Sequence, residues 1–189
     1  MSSTSETPGR RSVRLKDYDY AGAGAYFVTI CTQSHALLFG AIVGEEMRLS
    51  PAGEIVRDEW ARTADVRPDV ELDAFVVMPN HLHGIIVITG HPSPTVGATR
   101  RVAPTENRGT ARGPVPGSVG AMVGQFKSVA TRRIRQCLGA PSLTVWQRNY
   151  YEHVIRDEES LNLIRQYIAD NPAGWALDRE NPAAIAPTT

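Results

Sequence analysis

The 189-residue chain has 42% apolar and 7% aromatic side chains and a formal net charge of zero. That size fits one compact domain with a real core and excludes a barrel of eight βα units or two full domains. No run approaches the about 20 apolar residues of a membrane-spanning helix, and the polar, Arg-containing N-terminus has no hydrophobic segment behind it; a cytoplasmic protein is expected.

The zero net charge conceals segregation. Between Arg100 and Arg148 lie nine Arg or Lys residues (Arg100, Arg101, Arg108, Arg112, Lys127, Arg132, Arg133, Arg135 and Arg148) against Glu106 alone. The compensating acids cluster at residues 65–73 and 152–180. Such a layout either presents a basic face to phosphates or is simply a solvated loop and helix surface. Cys31 and Cys137, far apart in apolar contexts, read as reduced buried thiols more than as a disulfide or a Cys-rich metal site.

In chain order, residues 1–24 form a Ser-, Thr-, Arg- and Gly-rich lead-in that reads as flexible, followed by a folded domain over 25–176 and a tail at 177–189. The β-branched and aromatic run at 25–32 (AYFVTICT) suits a buried strand. Short peripheral strands at 37–43 and 46–49 flank Gly44 and Glu45 as a hairpin. Ser50 caps a helix from Pro51, with Ile55, Val56, Trp60 and Ala64 at helical spacing, and Pro68 ends it. Two strands, 70–78 and 83–89, turn at Pro79 and Asn80. Residues 90–118, rich in Gly, Pro, Thr and Arg, lack periodicity and read as a mobile basic loop. A helical stripe (Met122, Val123, Phe126, Val129, Ile134) runs over 119–138, with Gly139 as its stop. Residues 146–156 are strand-like, and Asp157 caps a last helix that reaches Pro172. The order predicts an α+β, ferredoxin-like or RRM-like sandwich with a central antiparallel sheet covered by helices.

His81-Leu82-His83 follows the apolar run FVVMP. Alternate residues of a strand share a face about 6–7 Å apart, so both imidazoles reach one metal ion, or stand unliganded at a strand end. Tyr167 and Asn171 sit four apart on one face of the last helix. A tyrosine beside an oxygen ligand suits phosphoryl chemistry; a core-edge Tyr and a helix-terminating Asn would leave the same trace. Tyr150 and Tyr151 point to opposite faces of a strand, so at most one faces the histidines; packing or DNA contact is expected of them, and a structural role of His153. Trp146 and Trp175 read as core or lid residues, with stacking on bases as the other use.

Five blocks, YFVTICTQ (26–33), VVMPNHLHGIIVI (76–88), GQFKSVATRRI (124–134), VWQRNYYEHVIRDEE (145–159) and YIADNPAGW (167–175), together span most of the chain from Tyr26 to Trp175. In these blocks and their order the chain resembles the REP-associated tyrosine transposases, a branch of the single-tyrosine HUH endonucleases. The resemblance implies that His81 and His83 bind a divalent metal, Mg²⁺ or Mn²⁺, and that Asn171 completes its ligands where related insertion-sequence transposases typically carry Gln. It implies that Tyr167 is the nucleophile, forming a 5′-phosphotyrosine with hairpin-bearing, REP-like single-stranded DNA. DNA contacts are expected from Lys127, Arg132, Arg133 and Arg148, with the protein a monomer or homodimer. Two other readings stay open: a non-catalytic nucleic-acid-binding module on the same fold, and a zinc hydrolase built on His-x-His, for which no further His or Asp follows closely downstream.

Overall fold

The computed structural model describes residues 19–90 and 114–184. Most of the lead-in and of the basic loop, with Arg100, Arg101, Arg108 and Arg112, lies outside the described residues.

Among the described residues, six strands and three α-helices follow one another as β1 (Gly24–Cys31), β2 (Gly40–Val43), β3 (Glu46–Leu49), α1 (Pro51–Asp65), β4 (Val70–Met78), β5 (His81–Ile88), α2 (Val119–Leu138), β6 (Tyr151–Ile155) and α3 (Glu158–Asp170). Four strands make one antiparallel sheet in the order β4-β5-β1-β6, and β2-β3 stands apart as a hairpin inserted before α1. Without the hairpin, the described elements read βαββαβ with the first strand central, the ferredoxin-like arrangement, followed by α3 as an added helix.

The three helix starts follow from capping. Ser50 Oγ accepts from Gly53 N at 3.1 Å, Ser118 Oγ from Ala121 N at 3.3 Å, and Asp157 Oδ1 from Ser160 N at 2.7 Å, each satisfying an orphan amide of a first turn. α2 stops at Gly139, whose φ of 62° suits a residue without Cβ.

Strand alternation sorts β1 and β5 onto two faces. Tyr26, Val28, Ile30, Leu82 and Ile86 join Val56 and Trp60 of α1 and Met122, Phe126 and Ile134 of α2 in the larger core. Trp60 meets Phe126 edge-on, with centroids 5.2 Å apart. It also lies over Gly84, where a Cβ would come within 2.5 Å of the indole; only glycine admits that approach. The opposite face holds a smaller cluster, Phe27, Ile85, Ile155 and Ile168 of α3. α3 is tied to β4 by Arg165, whose Nη2 and Nε donate to Asp73 at 2.6 and 3.0 Å. Asp73 lies in the register shift between Leu72 and Phe75, and the guanidinium holds its carboxyl below the ordinary value.

Several expectations shift. The strand read over 146–156 begins only at Tyr151, and Trp146 keeps a single bridge to Thr32. Lys127 Nζ donates to the carbonyls of Gln147 and Asn149 at 3.0 Å and of Arg148 at 3.5 Å, so those groups are turned to a side chain instead of a ladder. The strand read over 37–43 starts at Gly40, because Phe39 bonds to Pro79 and Ser50 in place of a hairpin partner. β5 begins at His81, two residues earlier than read, which puts both histidines inside the ladder. Cys31 is buried, but Cys137 is exposed near the end of α2. Among the described residues no helix is long and apolar enough to cross a membrane.

Candidate active site

β5 carries His81 and His83 on the face toward α3, and both are buried. Their Nε2 atoms face each other at 3.0 Å. The tautomer of His81 follows from its neighbour. Asn80 Nδ2 donates to the carbonyls of Glu180 and His35 at 2.6 and 3.2 Å, so its Oδ1, 2.8 Å from His81 Nδ1, is the acceptor. His81 therefore carries its proton on Nδ1 and turns the Nε2 lone pair inward. His83 Nδ1 lies 2.8 Å from the hydroxyl of Thr29, its cross-strand partner, and its ring stacks on Phe27 at 5.3 Å.

α3 crosses this face and places Tyr167 over the pair. Its hydroxyl is 3.2 Å from His83 Nε2, and its ring packs edge-on against Phe27 at 6.1 Å. The ring is 46% exposed, so the phenol is reachable from solvent while the imidazoles beneath it are not. Asn171, one turn on, is buried beside His81 and Tyr167, and among the described residues its Oδ1 has no hydrogen-bond partner.

A further acid completes the cluster. Asp178, just past the short helix Trp175–Leu177, brings a carboxylate oxygen within 4.8 Å of ring nitrogens of both His81 and His83. Trp175 stands beside His81, with centroids 6.1 Å apart. The carboxylate of Asp178 and the buried amide of Asn171 thus lie beside the paired imidazoles. Burial lowers the pKa of His81, opposed by Asp178 and Glu180, and lowers that of His83 further, aided by His81; both rings are neutral near pH 7. Burial and the charge of Asp178 raise the Tyr167 phenol above its ordinary value, against the hydrogen bond from Asn171.

This donor set fits a divalent cation. Neutral imidazoles with carboxylate and amide oxygens are ligands for a hard or borderline ion, and two adjacent ligands about 2.1 Å from an octahedral ion lie about 3.0 Å apart, the separation of the two Nε2 atoms. The amide oxygen of Asn171 and the carboxylate of Asp178 are both near enough to supply a third ligand.

The expected phosphate contacts divide into two groups. Arg132 and Arg148 are exposed and, with Arg135 and Lys127, line an open groove of about 740 Å³ between α2 and residues 141–148. Arg133 is paired with Glu59 of α1, a buried carboxylate, and serves the helix contact. Lys127, its ammonium drawn down to about 8 by burial, is engaged with three carbonyls. Tyr151 and His153 are exposed on β6, and Trp146 is a core residue touching Phe39 and Phe126.

The fold brings together His81, His83, Tyr167 and Asn171, the four residues that the resemblance groups, and adds Asp178, Thr29 and a second role of Asn80, which no motif marks. Asp178 follows the last helix without periodicity, and only an unexplained acid in the stretch DRENP hints at it.

Fold and site together define the class: an antiparallel α+β sandwich with a buried His-x-His pair beneath a helix-borne tyrosine. The chain belongs to one family with an uncharacterized protein of Haemophilus influenzae, 40% identical over 172 residues that cover 90% of this chain and 92% of that protein. No protein-family model matches it. Among solved structures it is similar to a REP-associated tyrosine transposase bound to a REP hairpin (TM-score 0.48, 18% identity, 84% of this chain and 73% of that one). It is also similar to a candidate transposase of Deinococcus radiodurans (TM-score 0.41, 17% identity, 83% and 95%).

Proposed function

We propose that this protein is a metal-dependent, single-strand DNA endonuclease and strand transferase of the REP-associated tyrosine transposase type, with Tyr167 as its nucleophile. One observation carries the reading: a half-exposed phenol lies 3.2 Å from one of two buried imidazoles whose ring nitrogens face each other at 3.0 Å.

His81 and His83, with Asp178 or Asn171, would hold Mg²⁺ or Mn²⁺, whose charge would offset the negative field that keeps the phenol protonated and would supply Lewis-acid polarisation of the phosphate. The residues themselves do the rest. Asn80 and Thr29 fix the imidazole rings, as outer partners of metal-bound histidines do. The rigid turn of α3 aims the Tyr167 oxygen, and its exposure leaves room for a strand to approach in line. Attack makes a bond from the Tyr167 oxygen to phosphorus while the bond to the 3′ oxygen breaks. The phenol proton passes to solvent, and the 3′ oxygen leaves as a hydroxyl. The phosphotyrosine keeps the bond energy for rejoining, so no nucleotide cofactor is required. Arg132, Arg135 and Arg148 line a groove suited to the backbone of a hairpin-bearing single strand.

The test is incubation with REP-like single-stranded hairpins and Mn²⁺, followed by denaturing electrophoresis for a covalent protein–DNA adduct. Wild type forms it and Tyr167→Phe does not. An adduct formed equally well by Tyr167→Phe would displace the nucleophile. Hairpin binding with no adduct on any substrate would instead leave a non-catalytic binding module.

A further inference from the structure

Beside the paired histidines a second cluster lies at the same end of the sheet. Cys31 ends β1 and is buried, His35 follows in the turn after it, and Glu180 reaches back from the C-terminal segment and is itself buried. One ligand atom from each lies within 4.8 Å of the others. We infer that Cys31, His35 and Glu180 form a second cation site, for a thiophilic divalent transition ion of the zinc class.

The spacing suits such an ion. Glu180 Oε2 is 3.2 Å from His35 Nδ1 and 3.7 Å from Cys31 Sγ. A tetrahedral centre with bonds of about 2.0 Å to N and O and about 2.3 Å to S separates those pairs by about 3.3 and 3.5 Å. The ligand chemistry suits it too. A thiolate and a carboxylate balance the two positive charges, giving a neutral complex in a buried place, where an unpaired charge is costly. A thiolate selects against Mg²⁺ and for zinc-like ions, so the two clusters differ in the metal they prefer. Three protein ligands leave the fourth position to water.

The outer partners are present as well. Gln147 places its side-chain amide 3.0 Å from His35 Nε2. Ligation through Nδ1 requires the proton on Nε2, and a half-turn of that amide presents Oε1 to accept it. Asn80 links the two clusters, its Oδ1 on His81 and its Nδ2 on the carbonyls of His35 and Glu180. An ion at Cys31, His35 and Glu180 would pin the segment that also carries Asp178 to the other centre.

The experiment uses the full chain, stripped of metal and titrated with Co²⁺ as a spectroscopic probe. The expected result is a near-ultraviolet thiolate-to-cobalt charge-transfer band in wild type, in Cys137→Ser and in the His81→Ala/His83→Ala double variant. Cys31→Ser loses the band. Glu180→Gln and His35→Gln, which leave the buried thiol in place and guard against misfolding of Cys31→Ser, weaken Co²⁺ binding at the band roughly tenfold or more. Absence of the band in wild type, its survival in Cys31→Ser, or unchanged affinity in both Glu180→Gln and His35→Gln overturns the site.

Discussion

Against α1 and α2 the sheet presents Tyr26, Val28, Ile30, Leu82 and Ile86, packed with Trp60 and Phe126. Against α3 it presents Phe27, Ile85 and Ile155 together with the buried polar side chains of Thr29, His81 and His83. The first face is mostly apolar, with Glu152 of β6 a buried exception bonded by the Tyr150 hydroxyl, and burial there stabilises the fold at about 25 cal/mol per Å². The second is covered by one helix, and its buried polar groups bond one another and the backbone carbonyl of Glu180, with Asn171 Oδ1 left without a hydrogen-bond partner among the described residues. The comparison teaches that this domain keeps its stability on one side of the sheet and its reactive groups on the other, with the same two central strands serving both by alternation.

The sharpest break between the faces comes from Tyr167→Phe. It lowers covalent adduct formation by about 10⁴-fold or more while thermal unfolding changes little, by about 1 kcal/mol at most, since the ring remains packed on Phe27 and only the hydroxyl contact with His83 is lost. Trp60→Ala is the mirror experiment: a cost of about 3–5 kcal/mol and a fall in Tm of about 10 °C, with the affinity of the folded protein for Mn²⁺ unchanged. If Trp60→Ala altered metal affinity as strongly as stability, the two faces would not be separable. Asp178→Asn comes next, weakening Mn²⁺ binding about 10- to 100-fold in calorimetry and exceeding Asn171→Ala; the reverse ranking would make the helix amide the third ligand. The smallest effect belongs to Asp73→Asn, which loosens α3 from β4 and costs at most about 1 kcal/mol, because the pair is partly exposed. Its sign with pH is fixed. The Asp73 carboxyl titrates below its unfolded value, so the contribution is complete above that value and is lost as pH falls through the lower folded one. Urea melts of wild type and variant should therefore differ at pH 7 and converge in strong acid.

Much of the scaffold was legible because its signals are local. Ser50 and Asp157 cap the helices expected of them and Gly139 ends α2 in the left-handed conformation, while Ser118, which composition places in the loop, is the cap of α2. What the local pattern left open was set by distant partners. Lys127, read as a phosphate contact, is held by the carbonyls at 147–149, and it is those bonds that delay β6. Arg133, read the same way, is claimed by Glu59 on a helix 74 residues away in sequence. Asp178 and Glu180 lie beyond the last periodic segment, so nothing in their own neighbourhood marked them.

By itself the sequence determined which residues share a face. His81 with His83 and Tyr167 with Asn171 follow from periods of two and of 3.6 residues, which any strand or helix imposes wherever it lies. The tertiary structure decided which faces meet. The sheet order that sets β5 beside β1, the bond from Arg165 to Asp73 that lays α3 across them, and the return of the C-terminal segment to Asn80 all join groups far apart in the chain. Their distances depend on long-range packing, for which no local pattern carries a signal.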